Sequence, residues 1–405
     1  MTNGPVDQFI DRQTENVQRA QHSLLAVVAL LLAVGIVMIY SATAARSVEF
    51  SDSTYRLRRQ VLWALLSIIG MTLAWGTDYR EVAKRSTWLL AGAGALLFLV
   101  LIPGIGHQVG GARRWFRFSV MSFQPSEFAK IAVVIFAAAY AVTRKERIRE
   151  FRKGFLPAFG AVALIALLIM LEPDFGTAVF LGTVGVVVLV VGGIRLLHLL
   201  PFAAAGGAGI LGILLLAPHK FAHVWSRFAV WWNPASDPLG GAHQLNQSLI
   251  ALGSGGQFGV GIGQSMQKLY FLPEQHTDYI FAILGEELGF IGTAGVVVLF
   301  MVFIWQGMKI AAGARDRLGF LLAFGITFQI GLQAAMNIAV VTASIPPKGI
   351  SLPFISFGGS SLFFLMAEVG ILANIAGVAA REGRLEAVEF KTETAPGSLP
   401  EGEAA

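Results

Sequence analysis

The sequence contains no cysteine among its 405 residues, and only 14% of its residues are charged. The absence of cysteine excludes a disulfide, a thiolate nucleophile and a metal site with cysteine ligands. The low charged fraction argues against a soluble globular domain, in which about 25% of residues are charged. The net charge of +5 is modest. In a membrane protein such a surplus reflects the charge bias of loops, so no nucleic-acid partner is expected.

Apolar residues make up 55% of the chain and come in separate blocks. Each block is about 17 to 25 residues long, which is the length a helix needs to cross a hydrocarbon core of about 30 Å. We therefore predict an all-α, polytopic membrane protein with about ten transmembrane helices. The predicted spans are Leu24–Tyr40, Val61–Trp75, Ser86–Ile102, Phe128–Val142, Phe155–Leu171, Phe175–Val191, Leu196–Leu216, Tyr279–Trp305, Leu318–Val341 and Leu362–Ala379.

The spans divide the chain into three parts. Residues 1–22 are polar and predicted to be a loose or interfacial cytoplasmic segment, and residues 23–382 are predicted to form the transmembrane domain. Within that domain, residues 218–277 are predicted to form a large extracytoplasmic loop between spans seven and eight. Residues 383–405 are rich in Pro, Gly, Ser and Glu and are predicted to be a disordered cytoplasmic tail. No cleavable signal peptide is expected, because no small-residue cleavage site follows the first apolar block.

Lysine and arginine predict the orientation. With the N-terminus inside, roughly 18 of the 30 Lys and Arg residues fall in the shorter inner segments, so the positive-inside rule places both termini in the cytoplasm. Arg113, Arg114 and Arg117 then lie outside, after the third span. This basic patch either binds phosphate, for which arginine has a matching geometry, or anchors the helix end at the membrane interface.

One carboxylate stands where the large loop meets an apolar run. Asp278 follows a polar stretch and precedes the eighth predicted span. A charge at this boundary needs a reason, because an unpaired charge in a low-dielectric region costs several kcal/mol. Asp278 is either a general base made more basic by partial desolvation, or an acid that complements a helix dipole. Glu274 and His276 are predicted to be solvated neighbours, and no HExxH spacing indicates a protein-bound zinc.

Other charged residues fall at span ends. Glu127 and Lys130 are three residues apart and therefore share one helix face. They either pair with each other or bind a charged group in a cavity. Glu172 and Asp174 flank a proline between two spans, and they either bind a cation or sugar hydroxyl or form a tight turn. Lys348 lies in a stretch interrupted by Pro and Gly, which we predict to form a second wall of the site because such backbone is tolerated around cavities.

A few polar residues lie inside predicted spans. Glu286, Glu287 and Glu368 are intramembrane acids, for which a cavity-facing or functional position is the default expectation. Glu286 and Glu287 are adjacent and cannot share one helix face. Gln333 and Asn337 are four residues apart and are predicted to hydrogen-bond across helices.

Five stretches carry a family resemblance. They are RRWFRFSVMSFQPSEFAK, EPDFGTA, QSLIALGSGGQFGVGIGQSMQK, LPEQHTDYIFAILGEELG and PPKGISLPFISFGGSS. In their order, and over residues 110–380, they resemble the SEDS family (shape, elongation, division and sporulation). The lysine in the last stretch resembles the FtsW branch more than the RodA branch.

The resemblance implies a peptidoglycan glycosyltransferase that polymerises lipid II in the bacterial inner membrane, enriched at the division septum. Asp278 matches the family's essential aspartate, and Glu127 and Lys130 match its polar pair. With the arginine patch and Lys348, further predicted substrate-binding residues are Gln264, Lys268, Ser356 and Ser360. No tightly held cofactor is expected, and a divalent cation, Mg²⁺ or Mn²⁺, is an optional assistant. The implied partners are a class B penicillin-binding protein of the FtsI type, other divisome membrane proteins and membrane lipids.

The implied substrate suggests a mechanism. The donor sugar of lipid II is α-linked to undecaprenyl diphosphate and the product is β-1,4-linked, so one inverting displacement suffices. Asp278 would take the proton of the acceptor's 4-hydroxyl. Lys130, the arginine patch, Lys348 or a metal ion would balance the diphosphate. Two other functions stay open from the residues alone: a lipid II flippase, and a scaffold that recruits a transpeptidase.

Overall fold

The computed structural model describes residues 5–44, 55–109, 111–118, 121–216, 228–233, 237, 242–268 and 277–393. Helices dominate these residues: α1 (Pro5–Ala44), α2 (Tyr55–Gly76), α3 (Tyr79–Lys84), α4 (Ser86–Leu101), α5 (Pro125–Thr143), α6 (Leu156–Leu171), α7 (Phe175–Val191), α8 (Leu200–Leu216), α9 (His243–Ser254), α10 (Ile280–Ala312), α11 (Arg317–Val341) and α12 (Gly359–Glu393). A π-helical turn, Phe151–Phe155, precedes α6, and a 3-10 turn, Leu196–Leu199, precedes α8.

The apolar helices lie where the sequence predicts spans. In the part of the chain that the structure describes, seven helices are long and apolar enough to cross a membrane. Three shorter apolar helices, Ser86–Leu101, Phe175–Val191 and Leu196–Ala208, coincide with the remaining predicted spans. The helical membrane architecture is confirmed, whereas the exact number of spans and the orientation of the termini stay predictions.

Three boundaries differ from the predicted ones. Helix α1 begins at Pro5, inside the segment 1–22 that the sequence predicts to be loose or interfacial. Helix α12 continues to Glu393, inside the predicted disordered tail 383–405. The predicted loop 218–277 contains helix α9. Its residues 269–276, with Glu274 and His276, lie outside the described residues.

A small antiparallel sheet, which the all-α expectation missed, joins α4 to α5. Its strands are β1 (His107–Val109), β2 (Ala112–Phe118) and β3 (Met121–Phe123), in the order β1-β2-β3. Strand β2 pairs with both neighbours, His107 lying opposite Trp115 and Phe116 opposite Phe123. These strands are too short for a periodic signal, so charge and aromatic content dominated the sequence pattern.

Helix α5 lies at the centre of the bundle because small residues allow neighbouring helices to approach. A Cβ added to Gly325 of α11 would lie 2.7 Å from Val134 of α5. A Cβ added to Gly185 of α7 would lie 3.0 Å from Val133 of α5. Small residues are typical of helix contacts in membranes, where packing replaces the hydrophobic driving force. The close approach buries almost the whole of α5, including its polar first turn.

Helix α10 is broken at Gly289, and a loop repairs the break. Gly289 has φ 67° and ψ −165°, a conformation that favours glycine. The amides of Val260 and Gly261 donate to the main-chain oxygens of Glu286 and Glu287, at 2.9 and 3.0 Å. In return, residues 290 and 291 donate to the oxygens of residues 256 and 257, at 2.9 and 3.2 Å. The loop therefore satisfies the backbone groups that the break exposes, which low-dielectric surroundings require.

Candidate active site

A polar cavity of about 360 Å³ lies at one end of the bundle. Helices α5, α7, α10 and α12 begin at this end, and α6 and α11 finish there. Its charged lining residues are Arg114, Glu127, Lys130, Asp174 and Asp278. Gln124, Thr177, Gln333, Ser351 and Ser361 add uncharged polar groups. The folding of the chain therefore brings together residues that are more than 200 positions apart in the sequence.

Asp278 lines this cavity two residues before the first residue of α10. Its main-chain oxygen accepts a hydrogen bond of 2.8 Å from Nδ2 of Asn337. The same Nδ2 donates to the main-chain oxygen of Ile350 at 2.6 Å. A Cβ added to Gly349 would lie 2.9 Å from Oδ2 of Asp278, so the carboxylate lies against a bare stretch of main chain. Asp278 thus has both predicted properties, a position next to a helix N-terminus and a position in a cavity.

Lys130 and Glu127 form a buried ion pair in the cavity wall. The Lys130 ammonium lies 2.8 Å from Oε2 of Glu127 and donates to Oε1 of Gln333 at 2.9 Å. Gln333 in turn donates from Nε2 to the main-chain oxygen of Ser351 at 3.0 Å. The two residues therefore pair with each other and also face the cavity, whereas binding of a charged group there stays a prediction. Gln333 bonds to Lys130 of α5, as predicted for hydrogen bonding across helices, whereas Asn337 bonds to main-chain oxygens outside the helices.

Arg114 connects the sheet to the turn between α6 and α7. Its guanidinium donates to the main-chain oxygens of Glu172, at 3.0 Å, and Pro173, and lies 3.6 Å from Oδ2 of Asp174. Asp174 also caps α7 by accepting from the Thr177 amide at 3.1 Å. The side chain of Arg114 is 31% exposed, so part of its guanidinium is accessible from the cavity.

Glu172 lies behind this turn and is fully buried. Burial, together with the nearby Asp174 carboxylate, raises the pKa of Glu172 to about 8 against the lowering effect of Arg114. Its two carboxyl oxygens have no hydrogen-bond partner in the part of the chain that the structure describes. A neutral carboxyl at this position is the state that burial favours.

Three of the predicted substrate-binding cations do not line the cavity. Arg113 lines a second hollow instead, while Arg117 is exposed and its Nη1 lies 3.2 Å from Nε2 of His107. Lys348 runs along α7, with its Cδ 3.7 Å from where a Cβ on Gly176 would stand. The neighbouring Gly349 and Ile350 line the cavity instead.

Four predicted loop residues have structural contacts instead of cavity positions. Lys268 is buried and pairs with Glu287 at 2.9 Å, far along α10 from Asp278, and Gln264 is exposed. Ser356 donates to the main-chain oxygen of Thr277 at 2.6 Å, so it fixes the residue before Asp278. Ser360 accepts from the Gln124 amide at 3.2 Å.

The intramembrane acids are all buried, but none of them lines the cavity. Glu287 accepts hydrogen bonds from Ser41 of α1 at 2.6 and 2.7 Å, in addition to its pairing with Lys268. Glu286 accepts from Ser265 and from the Met266 amide. The two acids therefore use different helix faces, as their adjacency predicts. Glu368 accepts a hydrogen bond from Gln329 inside the bundle.

Several cavity residues were missed from the sequence. Ser361 lines the cavity whereas the predicted Ser360 does not, because one step along a helix rotates a side chain by about 100°. Ser351 and Phe357 lie in the stretch already predicted to form a wall, so the segment was identified but not its inward-facing residues. Thr177 and Phe180 lie in a uniformly apolar helix, in which the sequence pattern does not show which side chains face a cavity.

The geometry of the cavity supports proton transfer to a carboxylate and the stabilisation of negative charge. Among the residues that the structure describes, no cluster of three or more His, Asp, Glu or Cys could hold a metal ion by itself. The described lining of the cavity contains three carboxylates, of Asp278, Glu127 and Asp174, and two cations, Lys130 and Arg114. Such a set can accept a proton and stabilise a developing negative charge within one enclosed space.

The chain is also similar to known proteins, and these similarities do not depend on the geometry of the cavity. A family model described as cell cycle protein, for FtsW, RodA and SpoVE, matches residues 21–380. Stage V sporulation protein E of Bacillus subtilis (strain 168) is 42% identical over 353 residues, which cover 87% of this chain and 95% of that protein. A probable peptidoglycan glycosyltransferase FtsW of Trichlorobacter lovleyi is 40% identical, over 87% of this chain and 92% of that protein.

Two solved structures share the fold. The rod shape determining protein RodA of Thermus thermophilus superposes with a TM-score of 0.60 at 25% identity, covering 87% of this chain and 95% of that one. A chain from a study of polymerization and crosslinking by a peptidoglycan synthase complex superposes with a TM-score of 0.71. That chain is 24% identical, with 88% and 97% of the two chains covered, and the likeness shows the fold alone.

Proposed function

The chain belongs to the FtsW, RodA and SpoVE family of cell cycle proteins, the SEDS family, and we propose how this membrane-embedded peptidoglycan glycosyltransferase works. It polymerises lipid II, with Asp278 as the general base. The observation that carries the proposal is the position of Asp278 in a polar cavity that also contains Lys130 and Arg114. The predicted family and enzyme class are confirmed by relatives named peptidoglycan glycosyltransferase.

The chemical step is a single displacement. The acceptor's 4-hydroxyl oxygen attacks the anomeric carbon of the donor sugar, and its proton passes to the Asp278 carboxylate. The bond from the anomeric carbon to the lipid diphosphate breaks, and the diphosphate leaves with the electron pair. Attack opposite an α-linked leaving group gives the β-1,4 linkage. A positioned general base contributes about 10²- to 10⁴-fold to such a step.

Two cations are placed to stabilise the leaving diphosphate. Lys130 is held by Glu127 and Gln333, so its ammonium is oriented before substrate arrives. Arg114 is held by the turn between α6 and α7 while part of its guanidinium faces the cavity. Fixed charges of this kind stabilise developing charge because they need little reorganisation during the reaction. Arg117 and Lys348 are not assigned to the leaving group, because neither lines the cavity.

A Mg²⁺ or Mn²⁺ ion fits the cavity only together with the substrate. Glu127 is engaged by Lys130, and Asp174 caps α7 next to Arg114. The ion would be held by a carboxylate of the cavity lining, that of Asp278, Glu127 or Asp174, with phosphate oxygens of lipid II as further ligands. Mg²⁺ is commonly bound in this way, by one or two carboxylates plus substrate phosphates. When bound, the ion would supply additional positive charge for the diphosphate.

The cellular setting follows from the family. The chain is a multi-pass membrane protein. We place both termini in the cytoplasm of a bacterial cell and the cavity on the outer side of the inner membrane, with enrichment at the septum. A class B penicillin-binding protein of the FtsI type, which crosslinks the glycan, is the proposed partner, together with other divisome membrane proteins. The positive-inside charge bias supports this orientation.

The experiment is a polymerisation assay with purified, full-length protein and labelled lipid II, with and without the class B partner. Asp278→Asn keeps the shape of the side chain and removes its basicity, so glycan product should fall at least about 100-fold. Asp237→Asn, in the same loop region and exposed, is the matched control and should keep wild-type activity. Wild-type polymer from Asp278→Asn would contradict the assignment, and transbilayer movement of labelled lipid without any glycan product would indicate a flippase.

A further inference from the structure

A second hollow, of about 270 Å³, is lined by residues 112 and 113 of strand β2, whereas residues 114 and 115 line the reaction cavity. Neighbouring residues of the strand serve the two spaces, since Arg114 lines the cavity and Arg113 lines the hollow. The turn between α6 and α7 does the same, with Asp174 on one side and Pro173 on the other. The strand and the turn therefore contribute to the walls of both spaces, with one arginine in each.

Among the described residues that line this hollow, Arg113 is the one with a charge. It is half-buried, and it makes no hydrogen bond or ion pair with any residue in the described ranges. Its neighbours on β2 differ, because Arg114 is tied to the α6–α7 turn and Arg117 lies against His107. A guanidinium has five N–H donors and stays charged, so a half-enclosed position without partners favours an anion.

The rest of the hollow is apolar and lies at a membrane boundary. Leu101 and Leu171 are the last residues of α4 and α6, two apolar helices that pack against each other through Gly94 and Ile165. Leu171 is 58% exposed although it ends a candidate span. An exposed leucine at the end of a span faces lipid chains, whereas Arg113 sits beyond the helix end at headgroup level.

We propose that the Arg113 hollow binds the phosphate group of a membrane lipid, at a site separate from the reaction cavity. The lipid chain lies along Leu101 and Leu171, and the phosphate accepts hydrogen bonds from the guanidinium of Arg113 and from Gln108. Arginine matches phosphate oxygens in a bidentate geometry. The size of the hollow, below the about 300 Å³ at which ordinary ligand pockets begin, suits a phosphate group and not a disaccharide with a peptide.

Two kinds of lipid carry this chemistry, a polyprenyl diphosphate and an anionic phospholipid. The polyprenyl diphosphate is the chemical class of the leaving group in the proposed reaction, and binding in the hollow would hold it outside the cavity. An anionic phospholipid would instead anchor the sheet on the membrane. The binding proposal itself does not depend on glycan polymerisation, so it can be tested without substrate turnover.

The test measures lipid binding to the purified full-length chain in neutral detergent by native mass spectrometry and by thermophoresis. The probes are undecaprenyl diphosphate, dioleoyl phosphatidylglycerol and dioleoylglycerol, which has no phosphate. Arg113→Gln should weaken binding of at least one phosphate lipid about tenfold, because it removes a charge-assisted contact. Arg113→Lys should give a smaller loss, since lysine keeps the charge without the planar fork. Arg117→Gln is the matched control, with the same change four residues along the strand.

Each outcome decides the proposal. Dependence on Arg113 for undecaprenyl diphosphate supports it with the prenyl lipid as ligand, and dependence for phosphatidylglycerol alone supports it with a phospholipid as ligand. Three results would overturn it. They are binding of dioleoylglycerol as tight as that of the phosphate lipids, unchanged binding of the phosphate lipids by Arg113→Gln, and a loss of binding in Arg117→Gln as large as that in Arg113→Gln. A thermal melting curve checks that Arg113→Gln is folded, and if it is not, the charge-preserving Arg113→Lys variant provides the comparison. Because polymerisation is measured separately, a failure here leaves the role of Asp278 untouched.

Discussion

The side-chain amide of Asn337 holds Asp278 and the adjacent wall segment at Ile350 at the same time. Its Nδ2 atom donates to the main-chain oxygens of Asp278, at 2.8 Å, and of Ile350, at 2.6 Å. Asn337 is itself almost completely buried in α11. The relationship fixes the start of α10 relative to the Gly349 main chain, against which the Asp278 carboxylate lies. The position of the proposed base is therefore set by a residue that never needs to touch substrate.

Asn337→Asp should reduce polymerisation at least about tenfold. At neutral pH the substitution directs a carboxylate oxygen, an acceptor, at two carbonyl oxygens that now receive hydrogen bonds, and buried polar groups left unpaired cost about 1 to 3 kcal/mol each. We expect the start of α10 to shift and kcat to fall more than KM changes, because lipid binding elsewhere in the cavity is kept. Kinetics of lipid II polymerisation measure both constants.

Asn374→Asp is the matched control for this change. Asn374 also donates from Nδ2 to a main-chain oxygen, that of Trp75, at 2.8 Å, and it accepts from the Tyr79 amide at 3.0 Å. It lies at the other end of the bundle, so its change should lower thermal stability without lowering kcat per folded molecule. If both variants lose kcat to the same extent, Asn337 has only a general structural role.

Variants of the buried pair of Lys130 and Glu127 should affect thermal stability and polymerisation differently. Lys130→Gln or Glu127→Gln alone leaves one buried charge without its partner, a change that typically costs about 3 to 5 kcal/mol. The double variant removes both charges and should recover much of the thermal stability. It should not recover polymerisation, because the ammonium proposed to stabilise the diphosphate is gone. Melting temperature in detergent and glycan yield are the two measurements; recovery of both would show that the pair is purely structural.

Two Lys–Glu pairs differ in exposure, and replacement of the lysine should lower the melting temperature strongly in the buried pair and little in the exposed pair. Lys268 and Glu287 pair at 2.9 Å with side chains that are 5% and 0% exposed. Lys84 and Glu81 also pair, but their side chains are 70% and 48% exposed. Lys268→Met leaves the Glu287 carboxylate buried beside Ser41 and should lower the melting temperature strongly. Lys84→Met should change it little, because surface pairs contribute about 0 to 1 kcal/mol. Similar small effects in both variants would mean that water reaches the Lys268 pair.

Glu172 should make stability depend on pH. Burial, with the Asp174 carboxylate, raises the pKa of Glu172 to about 8 from the ordinary 4.5, against the effect of Arg114. Between these two values the folded state keeps a proton that the unfolded chain has released, so stability falls as pH rises and levels off above about 8. Glu172→Gln keeps the neutral form at every pH. Melting curves from pH 5 to pH 9 should show a larger decline for the wild type than for Glu172→Gln, and parallel declines would contradict the raised pKa.

The proposed base could be identified from the sequence because its surroundings in the chain are informative. Asp278 stands between a polar stretch and an apolar run, and its motif resembles that of a known family. Its place in a cavity is a separate fact, which depends on Asn337 and Gly349 from other parts of the chain. In the same way, three-residue spacing predicted the pairing of Glu127 and Lys130, because helix geometry is local. Their contact with Gln333 of α11 is not local.

The errors concern side-chain direction. Arg113 and Arg114 are chemically identical in the sequence, yet strand β2 sends them to different hollows. Ser360 and Ser361 are separated by one helix position, and only the second lines the cavity. Lys268 was assigned to substrate, although it pairs with Glu287 inside the protein. In each case the residue type was suitable for the predicted role, and the secondary structure or a distant partner decided otherwise.

By itself, the sequence determined the membrane architecture, the family and the chemical class of the site, because hydrophobic length and motif order are properties of the linear chain. The tertiary structure decided which charges share a cavity, which are buried as ion pairs and which of two adjacent arginines faces the proposed reaction. These choices depend on helix packing, a broken helix at Gly289 and a short sheet. They involve contacts between residues far apart in the chain, and no local pattern encodes such contacts.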